Sequence, residues 1–142
     1  MAVDSKAQAV WLGSLAEGNG TVSVASGAFP EQRVTWRARA EDRSHGTSPE
    51  ELIAAAHASC YAMALSHGLG QAGHAPERLE TSATVTFQPG EGITSIHLTV
   101  RGRVPGIDEL AFREAAEGAK AGCPVSKALA GVPAITLEAT LA

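Results

Sequence analysis

Between Leu52 and Leu65 the chain offers no polar stripe. Leu52-Ile53-Ala54-Ala55-Ala56-His57-Ala58-Ser59-Cys60-Tyr61-Ala62-Met63-Ala64-Leu65 is apolar almost all the way round a helix. A helix of that kind has to be covered on most sides, so the rest of the chain must wrap it. Its start is well marked. Ser48 can cap the first turn, Pro49 suits the first helical position, and Glu51 stands where the carboxylate of a capping box belongs. It is expected to end near Leu69, among Gly68, Gly70 and Gly73. With glutamates at one end, His57 and His67 inside and an Ala-rich middle, the run does not read as a membrane span.

The flanking segments read as strands and turns. Residues 7–15, 21–26 and 33–40 alternate and are expected as strands, with Gly18-Asn19-Gly20 as the first hairpin turn. Residues 41–47 read as a polar loop. Residues 79–88 and 93–104 are expected as a strand pair around Pro89-Gly90-Glu91-Gly92. Residues 108–121 read as an amphipathic helix with Leu110, Ala111, Ala115 and Ala119 on its apolar side. Residues 124–130 read as a short helix and 133–141 as a last strand. The order β-β-β-α-β-β-α-α-β, with tight turns between strand pairs, predicts an α+β fold of antiparallel sheets around a long buried central helix. A chain of 142 residues is enough for one domain, 1–142.

Large aromatic residues are scarce: two Trp, one Tyr and three Phe. A core built on Val, Leu, Ile and Ala packs backbones closely, and an oligomer would help to stabilise it. The net charge of −4 argues against nucleic acid as a partner. Met1-Ala2-Val3-Asp4-Ser5-Lys6 has no apolar stretch, so no secretory leader is expected and the cytoplasm is the expected compartment. There a structural disulfide between Cys60 and Cys123 is not expected. The two thiols are then buried groups, metal ligands or a cycling redox pair.

Taken alone, Cys60 is better explained as a small buried hydrophobe than as a reactive thiolate. A thiolate there needs a cation from elsewhere in the fold, because no Lys or Arg lies near it in the helix. Cys123 in Gly122-Cys123-Pro124 sits where one helix stops and another starts, a position that favours a thiolate or simply accepts a small cap residue. Glu50 complements the helix dipole and, with Glu51 assigned to the capping box, is free for a second task. Arg37 and Arg39 share a face of the expected third strand. Either could be a solvated charge or form a bidentate pair with Glu50 beside a thiolate. His57 and Cys60 are one turn apart, but no second close ligand pair accompanies them, so no metal is expected.

These residues together resemble the OsmC/Ohr family of cysteine-based hydroperoxide reductases. The resemblance rests on Gly46-Thr47-Ser48-Pro49-Glu50-Glu51-Leu52-Ile53-Ala54-Ala55-Ala56-His57-Ala58-Ser59-Cys60 and Ala121-Gly122-Cys123-Pro124-Val125-Ser126. Gly20-Thr21-Val22-Ser23 and Val104-Pro105-Gly106-Ile107-Asp108 also look like the OsmC-type branch. No arginine precedes Arg33, whereas Ohr-type proteins carry their active-site arginine in the first hairpin. The resemblance implies an intertwined homodimer. It implies Cys60 as the peroxidatic and Cys123 as the resolving cysteine, Glu50 as the motif's first glutamate and Arg39 as the arginine ending the third strand, with Arg37 as the alternative.

The activity so implied is reduction of organic hydroperoxides to alcohols. Cys60 becomes a sulfenic acid, Cys123 closes a Cys60–Cys123 disulfide, and an external dithiol, which the resemblance implies is of the lipoyl type, reopens it. No cofactor, metal, nucleic acid or membrane is required. Ten helical residues separate Glu50 from Cys60, about 15 Å along an unbroken helix and roughly 80° around it. Either the helix bends or the site combines two chains, and the second suits a dimer. Ala54, Ala55, Ala58 and Ala62 would then allow close helix approach, and Leu52, Ile53, Met63 and Phe29 would form apolar walls around Cys60. The alternative from another class is a non-catalytic stress or binding domain whose cysteines only pack.

Overall fold

Alternating residues at the start of the chain form β1 (Ala7–Leu12) and β2 (Asn19–Val24), paired antiparallel, with β3 (Gln32–Val34) antiparallel to β2. The computed structural model describes residues 1–142, which gather into two units, 1–52 and 53–142. The first hairpin turn is not Gly18-Asn19-Gly20. Asn19 and Gly20 lie inside β2, opposite Leu12 and Trp11, and the connection is residues 13–18. Gly20 is there for space: a Cβ on it would stand 2.7 Å from Cε3 of Trp11.

The expected strand over residues 33–40 is also corrected. β3 ends at Val34, and α1 (Trp36–Ala40) follows. Thr35 is the reason. Its hydroxyl accepts the Ala38 amide at 3.0 Å and so caps the turn, and the Arg and Ala residues that follow are strong helix formers. A five-residue helix is too short to display its own period. The supposed polar loop holds a single 3-10 turn, Arg43–His45, capped by Asp42.

α2 (Pro49–Gln71) is one continuous helix. Ser48 caps it as expected, accepting the Glu51 amide at 3.1 Å. Glu51 does not complete the capping box; its carboxylate accepts the Thr47 hydroxyl at 2.6 Å. Gly68 and Gly70 stay helical, and Gly73, at φ +84°, ends the helix: His74 N–H bonds to Leu69 O at 2.8 Å and Gly73 N–H to Gly70 O at 3.0 Å. The expectation of a helix covered on most sides holds for one face. His57, Tyr61, Leu65 and Leu69 recur every fourth residue and are buried, while Ala55, Ala56, Ser59 and Met63 are exposed. No helix is long and apolar enough to cross a membrane.

Beyond α2, β4 (Arg78–Gln88) pairs antiparallel with β5 (Gly92–Arg103), with an irregularity at Thr86/Phe87. α3 (Glu109–Gly122) and α4 (Pro124–Ala128) then carry the chain over to β6 (Ala134–Leu141). The fold is α+β, but this second sheet, β4-β5-β6, is mixed: β6 pairs parallel to β5, because a helical crossover returns the chain to the end where β5 began. Val85, Ile96, Leu98 and Val100 from the sheet, Tyr61, Leu65 and Leu69 from α2, and Phe112 and Ala116 from α3 make the core. The apolar side of α3 centres on Phe112 and Ala116 and excludes Leu110, which is 70% exposed. A Cβ on Gly102 of β5 would lie 2.7 Å from both Cε1 and Cζ of the fully buried Phe112. Gly102→Ala should therefore lower stability by about 1–3 kcal/mol. Urea unfolding would show this as a lower midpoint at unchanged slope.

Candidate active site

Two pairs of the residues singled out in the sequence meet. In residues 1–52, Arg39 of α1 donates from Nε to both carboxylate oxygens of Glu50, at 2.5 and 3.2 Å. Glu50 is 1% exposed and Arg39 about one-third exposed. Two observations explain the placement. Thr47 N–H bonds to Arg33 O at 2.8 Å beside a Val34–Thr47 bridge, which ties the start of α2 to β3, and the Thr35 cap turns α1 off the same strand. On a helix, residues two apart point in nearly opposite directions, so Arg37 does not share Arg39's face. Arg37 pairs instead with exposed Glu41 at 3.5 Å.

In residues 53–142 the sulfurs of Cys60 and Cys123 lie 3.2 Å apart, both as free thiols. Cys60 is on the flank of α2 and partly exposed; Cys123 is fully buried. Cys123 closes α3, its N–H bonding to Ala119 O at 2.8 Å, and opens α4, its C=O accepting Lys127 N–H at 3.0 Å. Burial pushes the Cys60 thiol up, the Val125 amide pulls it down, and neighbouring Cys123 pushes it up again, leaving it above the ordinary thiol value. Burial also acts to raise Cys123. The Ser126 amide, the Cys60 thiol, the Ser126 hydroxyl and the Val125 amide outweigh it, and Cys123 stands below the ordinary value. None of the groups acting on Cys60 is a cation, so a Cys60 thiolate needs one brought to it.

Sequence reading missed a second contact alongside the sulfurs. His57 Nε2 lies 2.7 Å from Ser126 Oγ, with His57 fully buried and Ser126 7% exposed. The available signal was spacing: His57 precedes Cys60 by three residues and Ser126 follows Cys123 by three, so each pair shares a helix face. Two cavities adjoin these groups. One, of about 380 Å³, is lined by Trp11, Leu15, Val22, Trp36 and Leu52 around Arg39. The other, of about 770 Å³, opens beside Cys60 and is lined by Met63, Ala64, His67, Ala119 and Pro124. Of the four expected apolar wall residues, Met63 shares this second cavity, Leu52 lines the first, Phe29 lines a third with Val24 and Ala28, and Ile53 packs against the core instead.

Residues 40–138 match the OsmC-like protein family. The chain is 46% identical over 132 residues to Peroxiredoxin OsmC of Escherichia coli (strain K12), covering 91% of this chain and 92% of that protein. It matches Peroxiredoxin OsmC of Shigella flexneri to the same extent. Its fold is similar to the crystal structure of an OsmC like protein from Mycoplasma pneumoniae, with a TM-score of 0.74 at 20% identity over 99% of both chains. It is also similar to the Organic Hydroperoxide Resistance Protein OhrB of Bacillus subtilis, with a TM-score of 0.64 at 23% identity over 96% of this chain and 98% of that one.

Two outcomes are expected. Mild oxidation with diamide should join residues 60 and 123 within one chain, since the sulfurs at 3.2 Å need only close to a bond of about 2 Å; peptide mapping would reveal the linked fragment. Arg39→Met strands a buried carboxylate and should cost about 3 kcal/mol. The double variant Arg39→Met/Glu50→Leu should recover part of that loss in the same denaturation experiment.

Proposed function

The chain belongs to the OsmC-like protein family, and on that premise we propose that it is a thiol peroxidase that reduces organic hydroperoxides to alcohols through Cys60 and Cys123. The observation that carries the proposal is the 3.2 Å contact between two free thiols, one at a partly open helix flank and one in the core. A sulfenic acid formed at Cys60 would already have its disulfide partner beside it.

The Cys60 thiolate attacks the distal peroxide oxygen. The S–O bond forms, the O–O bond breaks, and the alkoxide leaves as alcohol after taking up a proton. Cys123 thiolate then attacks the Cys60 sulfur and displaces hydroxide, which leaves as water. An external dithiol, of the lipoyl type if this chain follows its family, reduces the disulfide by exchange. Arg39, oriented by Glu50, is the cation assigned to the Cys60 thiolate and to the charge developing on the leaving oxygen.

The working unit in this proposal is a homodimer, each chain contributing one domain, 1–142. Support comes from α2. It runs without a break from Pro49 to Gln71, so Glu50 and Cys60 are about 15 Å apart along it. Its outward face of Ala55, Ala56, Ser59 and Met63 is exposed and mostly apolar, with Met63 at 68%. Arg39 and Glu50 of one chain would then serve Cys60 of the other. The apolar cavity around Arg39, with Trp11, Leu15, Trp36 and Leu52, fits the hydrocarbon part of an organic hydroperoxide. A cycle starting from two free thiols suits a reducing compartment, the cytoplasm.

Cumene hydroperoxide should be turned over faster than hydrogen peroxide with a dithiol reductant; the opposite preference would overturn the assigned substrate class. Cys60→Ser should abolish peroxide consumption. Cys123→Ser should complete one turnover and leave a sulfenic acid at Cys60 that dimedone traps; normal cycling of that variant would remove Cys123 from its role. A protein whose cysteines only pack would lose no thiols on exposure to the peroxide.

A further inference from the structure

The contact between the cysteines has a neighbour that also joins α2 to α4. Cys60 and His57 lie three residues apart on α2, and Cys123 and Ser126 three apart at the start of α4. Sulfur meets sulfur at 3.2 Å, and His57 Nε2 meets Ser126 Oγ at 2.7 Å. His57 is fully buried, Ser126 is its hydrogen-bond partner, and its other ring nitrogen, Nδ1, is buried without one. The cycle described above gives this histidine no task. A buried polar pair with an unpaired nitrogen carries a cost, and an apolar pair of similar volume would pack α4 on α2 without it.

We propose that His57 is a positioning residue of the disulfide-forming step, acting through Ser126 on Cys123. The proposal rests on the peroxidase reading and concerns its second half-reaction. The hydrogen-bond polarity follows from the chemistry. Ser126 has one hydroxyl proton, and an ionised Cys123 is the stronger acceptor for it. Ser126 then needs its own donor, which only the Nε2–H tautomer of His57 supplies. What stays unpaired at Nδ1 is a lone pair and not an N–H. Burial pushes the His57 pKa down, so the ring is neutral and can hold that tautomer. His57 thus fixes the Ser126 hydroxyl toward the attacking sulfur and holds the first turn of α4 against α2 while Cys123 displaces hydroxide from Cys60. The proton released by Cys123 and the displaced hydroxide make the water.

The titratable groups facing Cys123 are Cys60, Tyr61 and, through Ser126, His57. Tyr61 donates to Ala116 O at 3.0 Å and its phenol is pushed up by burial, so it stays protonated. In a Cys60→Ser background the thiolate absorbance then reports Cys123 alone and needs no peroxide. His57→Leu and Ser126→Ala should each raise the Cys123 pKa by about one unit, a tenfold smaller thiolate fraction below the pKa. Together they should do no more than either alone, and His57→Gln should restore part of the shift. In chains with both cysteines, one equivalent of cumene hydroperoxide should leave dimedone-trappable sulfenic acid in His57→Leu and in Ser126→Ala, with disulfide closure slowed about tenfold. Folded variants, confirmed by circular dichroism, that keep the wild-type Cys123 pKa and closure rate would overturn the proposal, as would a shift from Ser126→Ala alone. Failure of the peroxidase reading would show separately, as absent peroxide consumption by the wild-type protein.

Discussion

One face of α2 organises everything after it in the chain. His57, Tyr61, Leu65 and Leu69 project from it at four-residue intervals, and each is fully buried. Leu65 and Leu69 pack with Ile96, Leu98 and Val100 of β5, each such burial contributing about 1.5–3 kcal/mol. Tyr61 joins this core and reaches α3 through its hydroxyl bond to Ala116 O. His57 reaches α4 through Ser126. Cys60 lies just off this face, which is why its sulfur touches Cys123 yet borders a cavity. The contact between the thiols is thus set by core packing and by the junction of α3 with α4.

The two thiols are unequal for local reasons. Cys123 sits at the junction of α3 and α4, where amides and a hydroxyl favour the charged sulfur and outweigh its burial. At Cys60 burial and the neighbouring Cys123 outweigh the one Val125 amide that favours the charged sulfur. In the proposed cycle this inequality suits an ordered sequence, with Cys60 attacking and the more readily ionised Cys123 resolving. Arg39 is fixed in its own surroundings. Its guanidinium is held by a carboxylate that is almost wholly buried, and an apolar cavity lies alongside.

Much of this was legible in the residues. The start of α2, the β4–β5 pair, α3, α4 and β6 carry strong local signals, from the Ser48 cap to the Pro124 that opens α4. The pairing of Arg39 with Glu50 was among the anticipated contacts. Residues 33–40 misled because alternation suggests a strand, while a single hydroxyl, that of Thr35, decides for a helix. The hairpin misled because Asn19-Gly20 looks like turn chemistry, whereas Gly20 makes room for the Trp11 ring across the ladder. In both places a contact with one specific neighbour outweighed a propensity.

By itself the sequence determined the elements whose causes are local: caps, turn glycines, the apolar run of α2 and the chemistry of the two cysteine motifs. It also determined the family, because those motifs are contiguous stretches of chain. Tertiary structure alone decided what depends on packing between distant segments. It made β6 parallel to β5, chose Arg39 over Arg37 as the partner of Glu50, and turned one face of α2 inward while leaving the other open. It also brought His57 to Ser126, a contact across 69 residues of chain. Hydrophobic periodicity records that a face is apolar, but not which surface covers it. Spacing within each helix can place His57 beside Cys60 and Ser126 beside Cys123, but only packing brings the two helices together.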